Sequence, residues 1–110
     1  MNTHLVGKVI KHTWAEGPFA GAGYETTISS EDALSWKAVA GQPKGMTGTE
    51  TYTRVELAPG VIQLSWKEVE TTGFTLVWTL NFNTMKVYGV IGDKDKNYVV
   101  AGSFTIEDSK

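Results

Sequence analysis

The sequence predicts an all-β protein, a small antiparallel up-and-down barrel, and three observations carry that expectation. Apolar and polar residues alternate with period two almost from end to end. Clusters of Gly, Pro, Asn and Asp cut the alternation into short segments. No window of about a dozen residues has the i, i+3, i+4 apolar spacing of an amphipathic helix.

The first strand is expected from Leu5 to Trp14, where Val6, Ile10, His12 and Trp14 share a face interrupted by Lys8. A glycine-rich connector, Glu16 to Gly23, leads into strands from Gly23 to Ser29 and from Ala33 to Val39. A second one, Ala40 to Gly45, precedes the strand from Thr47 to Leu57. Neither connector opens a helix, so neither reads as a phosphate cradle. Ala58-Pro59-Gly60 turns the chain, because Pro fixes φ and Gly accepts φ > 0. In the fifth strand, Val61 to Glu70, Ile62, Leu64, Trp66 and Glu68 occupy one face and Gln63, Ser65 and Lys67 the other. Thr71-Thr72-Gly73 and Asn83-Thr84 bound the sixth strand, Phe74 to Phe82, whose Phe74, Leu76, Trp78, Leu80 and Phe82 form an unbroken apolar row. Strands from Lys86 to Ile91 and from Asn97 to Glu107 complete the set, the last with Gly102 interrupting Tyr98, Val100, Phe104 and Ile106. Asp93 to Asn97 reads as a solvated hairpin tip, since it lacks the glycine and distant Glu of a calcium loop. Eight short strands on tight connectors pair with their sequence neighbours, and closure removes the exposed edges; a two-sheet sandwich is the alternative.

The 110 residues fit a single domain, 1–110. Four Trp, four Tyr and four Phe require an aromatic-lined core or cavity. The formal charge of −2, with Lys and Arg scattered, excludes the basic stripe that nucleic acid needs. Cysteine is absent, so thiol chemistry and disulfides drop out. With only His4 and His12 as imidazoles, no metal site and no cofactor are expected. No segment has the length of a signal peptide or a membrane span, so the expectation is a soluble, cytoplasmic protein with no membrane partner.

Parity places the chemistry. Glu68 continues the apolar row of the fifth strand and is expected inside or at the mouth. A three-residue loop at Ala58 to Gly60 puts Tyr52 opposite Trp66 and Glu50 opposite Glu68. Two neighbouring carboxylates would raise each other's proton affinity and suit one of them to general acid work; the plain alternative is a solvated rim residue at Glu50. Arg54 shares the face of Tyr52, where it would hold a ligand carboxylate or pair with Glu56 or Glu68. His12, between apolar residues, is either a satisfied core histidine or an acid–base partner.

Gly7 to Gly17, Gly23-Tyr24-Glu25, Val55 to Glu68 and Met85 to Ile91 resemble the calycin-like barrels of phenolic acid decarboxylases and the related MoaF-like proteins. Glu16 to Gly21 followed by Tyr24-Glu25 is closer to the MoaF-like branch. The resemblance implies a calycin or lipocalin-like barrel of eight to ten strands with one closed end and a small-molecule cavity. The decarboxylases' Tyr-x-Tyr pair falls on His12 and Trp14, their arginine near Met46, and their glutamate on Glu68, which alone is kept. Decarboxylation is therefore not expected.

Three functions follow as expectations. The first is binding of a small apolar or aromatic molecule among Trp14, Tyr52, Trp66 and Trp78, oriented by His12, Arg54, Glu50 and Glu68. The second is a cofactor-independent lyase or isomerase acting on a phenolic or enolisable compound, with Glu68 and His12 as acid–base residues. The third is a packed barrel with a structural or interaction role, its exposed strand faces forming a homodimer.

Overall fold

The computed structural model describes residues 5–108. Eight strands follow one another: β1 Lys8–Glu16, β2 Gly23–Ile28, β3 Ala33–Ala40, β4 Thr47–Ala58, β5 Val61–Lys67, β6 Thr75–Asn81, β7 Lys86–Gly92 and β8 Asn97–Asp108. Each pairs antiparallel with its sequence neighbour, and β1 pairs β8 to close the barrel. The sandwich alternative is thereby excluded. Among the described residues no helix is long and apolar enough to cross a membrane.

The register agrees with expectation at its centre, where Tyr52 faces Trp66. The β4–β5 connection differs in detail. Ala58 pairs with Val61, leaving Pro59-Gly60 as the turn, and a bulge between Glu56 and Ala58 absorbs Leu57 and restores the expected pairing from Glu56 onward. A second bulge lies between Trp14 and Glu16, where β1 passes β8. Gly102 pairs with Trp14 there, and a Cβ at Gly102 would collide with the carbonyl oxygen of Thr13. The glycine that interrupts the apolar row of β8 is thus required by close approach of two backbones.

Two strand limits move by three residues, and the others by two or fewer. The first strand starts at Lys8 rather than Leu5, because Gly7 takes φ +84° and the Lys8 N–H closes a turn on the Leu5 carbonyl at 2.9 Å. β5 stops at Lys67, three residues before the expected Glu70, for a reason given below.

Alternate side chains fill the interior unevenly along the axis. The end that carries the β2–β3, β4–β5 and β6–β7 turns is occupied by Ile10, Ile28, Leu34, Ile62, Leu80 and Val87, each fully buried. The opposite end, under the β1–β2, β3–β4 and β5–β6 loops, holds most of the large aromatic rings and is hollow.

Candidate functional site

The hollow end is a cavity of about 400 Å³, within the usual range for a small-molecule pocket. All four tryptophans, Trp14, Trp36, Trp66 and Trp78, line it. Tyr24, Phe19 and Phe74 add three more rings. The rings brace one another edge to face: Trp66 and Trp78 stand 4.7 Å apart at 73°, and Trp14 and Trp78 6.1 Å apart at 81°. Exposed Pro18, Ala20, Gln42 and Met46 form the mouth between the β1–β2 and β3–β4 loops.

Glu68 is the carboxylate of this cavity. Its backbone explains why β5 ends early. The Glu68 N–H donates to the Phe74 carbonyl at 2.7 Å, and the Gly73 N–H returns a bond to the Glu68 carbonyl at 2.7 Å. The β5–β6 loop is clasped at its base by this one residue. Glu68 Oε2 accepts from Trp66 Nε1 at 3.0 Å, and Oε1 accepts from Thr72 Oγ1 at 2.7 Å. Thr72 is fixed in turn by the Phe74 N–H, which donates to its hydroxyl at 3.0 Å. Burial, opposed by the Thr72 and Trp66 donors and reinforced by the negative charge of Glu50, holds the Glu68 carboxyl above the usual carboxylate range.

Glu50 and Glu68 are not strand partners, because the β4–β5 ladder ends at Tyr52 and Trp66. They are matched in another way. Glu50 Oε2 accepts from Trp36 Nε1 at 3.0 Å, as Glu68 does from Trp66. A Cβ at Gly48 would stand 2.6 Å from Trp36 Nε1 and 2.8 Å from Glu50 Oε2, so a glycine there makes the bond possible. Each carboxylate therefore anchors one indole of the cavity wall.

His12 is buried and lines the same cavity. Tyr24 stacks on it at 5.2 Å, and Trp14 and Trp78 meet it edge-on at 4.6 and 4.4 Å. Neither ring nitrogen has a hydrogen-bond partner among the described residues. Burial alone lowers its pKa from 6.5 to about 3, so the imidazole is neutral at physiological pH. The Trp78 indole N–H and the Thr26 hydroxyl are likewise buried and unpartnered among the described residues. His4 lies outside them.

The expected site residues thus divide. His12, Trp14, Trp66, Trp78 and Glu68 meet around one cavity. Glu50 stands behind the wall and acts on it through Trp36. Tyr52 and Arg54 share the inward face of β4 but not the cavity lining. The Tyr52 hydroxyl donates instead to the Ser30 carbonyl at 2.8 Å, pinning the β2–β3 turn. Tyr52→Phe is accordingly expected to cost about 1 kcal/mol of unfolding free energy and to leave the cavity untouched, as urea unfolding and tryptophan emission would report. The sequence reading missed Tyr24, Thr26 and Trp36, although the parity of Thr26-Ile28 and Leu34-Trp36-Ala38 carried the signal. It also missed Phe19 and Thr72, which reach the cavity from loops, where parity says nothing.

No curated protein matches this chain. Among solved structures, a crystal structure described as "a putative beta-lactamase from Burkholderia vietnamiensis" superposes with a TM-score of 0.82 at 16% identity, covering 97% of this chain and 99% of that one. At that identity the likeness shows the barrel and nothing further. The sequence itself matches the MoaF-like family over residues 12–105, from the buried histidine of β1 to Thr105 in β8, and the chain belongs to that family.

Proposed function

We propose that the protein binds a small, mainly apolar molecule bearing an aromatic or similarly flat body in the cavity at the open end of the barrel. One observation carries this reading: a cavity of about 400 Å³ lies in the most aromatic part of a molecule whose other end holds fully buried aliphatic side chains. A sequence selected for packing alone would fill that space, since unfilled core volume costs stability. The clasp at Glu68 and the braced rings hold the wall in place before any ligand arrives, which lowers the ordering cost of binding.

Every tryptophan lines the cavity, so an occupant must perturb the emission. Titration with indole and 2-naphthol is expected to quench or shift tryptophan fluorescence. At about a hundredfold excess over Kd it adds about 2.7 kcal/mol to the unfolding free energy, read as a rise in Tm. If neither probe changes emission or Tm at millimolar concentration, the cavity is not a binding site.

A second reading, acid–base catalysis on a phenolic or enolisable compound, is favoured by the raised pKa of Glu68. His12 is a poor partner for it, because its nitrogens are shielded from solvent and its imidazole does not protonate near neutrality. Turnover of enolisable phenolic ketones that is abolished in Glu68→Gln would establish this reading over simple binding.

A further inference from the structure

We propose that the preferred occupant is an organic cation, a quaternary or otherwise substituted ammonium carried on an apolar or aromatic body, held by the indole faces and the Glu68 carboxylate. This rests on the binding reading above and names the ligand class for the same cavity.

The charge inventory of the lining points one way. Among the described residues that line the cavity there is one carboxylate, Glu68, and no Lys or Arg. His12 supplies no positive charge, because it stays neutral in its ring of aromatic neighbours. An anionic ligand would meet a buried carboxylate and no counter-ion, an arrangement that low-dielectric surroundings penalise. A cation meets the reverse, and it also restores to Glu68 the ionised state that burial disfavours.

The rings themselves favour positive charge. Trp, Tyr and Phe attract cations over their faces through the ring quadrupole, Trp most strongly. Here Trp36 and Trp66 each donate Nε1–H to a carboxylate, Glu50 and Glu68, at 3.0 Å. Donation to an anion pushes electron density back into the indole, which deepens the negative potential of its face. Both Glu68 oxygens already accept one hydrogen bond, from Trp66 and Thr72, so the carboxylate is held in place without a ligand. A substituted ammonium that needs few hydrogen bonds suits such a site, whereas a small hydrated metal ion does not.

The test compares three molecules of nearly one shape with wild-type protein: benzyltrimethylammonium, its uncharged carbon isostere neopentylbenzene, and 4-tert-butylbenzoate. Binding is read by tryptophan emission and by calorimetry where solubility allows. The cation is expected to bind at least about tenfold more tightly than the neutral isostere, with no detectable binding of the anion. Glu68→Gln is expected to weaken the cation about tenfold or more and by more than it weakens the neutral isostere, so that the cation's preference over the isostere is lost; an equal loss for both probes would assign Glu68 to holding the wall through Trp66 and Thr72 and overturn its role in recognising charge. If the neutral molecule binds as well as the cation, or the benzoate binds best, the cation proposal falls while the binding reading stands. If none of the three binds and indole and 2-naphthol fail as well, both fall together. Should Glu68→Gln not fold, the ranking of the three probes on wild-type protein decides the matter alone.

Discussion

Acidification from about pH 7 to about pH 5 is expected to remove about 2 kcal/mol of unfolding free energy, and His12 is the cause. In the unfolded chain its imidazole titrates near 6.5, whereas in the barrel burial holds it near 3. Above the first value both states carry a neutral ring and the residue contributes no pH dependence. Between the two values the unfolded state binds a proton that the folded state refuses. Stability therefore falls by about 1.4 kcal/mol for each pH unit below the unfolded pKa, until the folded ring protonates too. Glu68 works in the opposite sense: its folded pKa is raised, so it stabilises the fold at low pH and loses that contribution as pH rises through the folded value. It makes the net slope shallower in the acid part of the window. The measurement is urea unfolding at a series of pH values for wild type, His12→Leu and Glu68→Gln. His12→Leu should flatten the profile below about pH 6.5. At neutral pH it should stay near wild type, since release of two unpartnered nitrogens offsets lost ring contacts. Glu68→Gln should steepen the profile. A wild-type stability that is level from about pH 7 to pH 5, or a slope that survives in His12→Leu, refutes the assignment.

The barrel and half the cavity were legible in the sequence because period two is a property of the strand itself. Knowing which residues alternate with Leu64 and Trp66 is enough to turn Glu68 inward, and a three-residue loop at Ala58 to Gly60 gives the Tyr52–Trp66 pairing that the structure reaches by a two-residue turn and a bulge at Leu57. Depth along the axis was not legible. Tyr52 and Arg54 share parity with Glu50, yet the lining does not reach down β4 to them, because stagger between tilted strands decides which rung lies under the mouth. The early end of β5 was hidden for a related reason. The expected strand runs on through Val69 and Glu70, but the backbone of Glu68 bonds to Phe74 and Gly73, and that pairing closes the loop instead of extending the ladder. Parity turns the histidine inward and leaves its state open. Sequence allows either a satisfied core histidine or an acid–base partner, while the structure surrounds it with Tyr24, Trp14 and Trp78 and gives its nitrogens no partner among the described residues.

Removal of Trp14 is expected to cost about 3–5 kcal/mol at neutral pH, the usual range for truncating a buried Trp to Ala. The ring is 1% exposed, packs on His12 and Trp78, and lies against the strand crossing where Gly102 admits β1. Its loss has a second consequence that an isolated core truncation would not have. The void left by the indole joins the existing cavity, which opens to solvent at the loops, so water gains access to the edge of His12. Hydration moves the imidazole pKa back toward 6.5 and relieves the acid penalty that burial imposes. Trp14→Ala should thus lose less than wild type does on going from about pH 7 to pH 5, and the cost of the substitution should shrink by up to about 2 kcal/mol over that interval. Combined with His12→Leu, the pH-dependent part should vanish, leaving only the packing loss; this non-additivity is the signature of two residues sharing one environment. Trp14→Phe, which keeps an aromatic ring against His12, should retain most of the acid slope. Urea unfolding of the four variants at the two pH values decides it: a Trp14→Ala cost that is the same at both, or a double variant that is simply additive, would show that Trp14 does not control the water at His12.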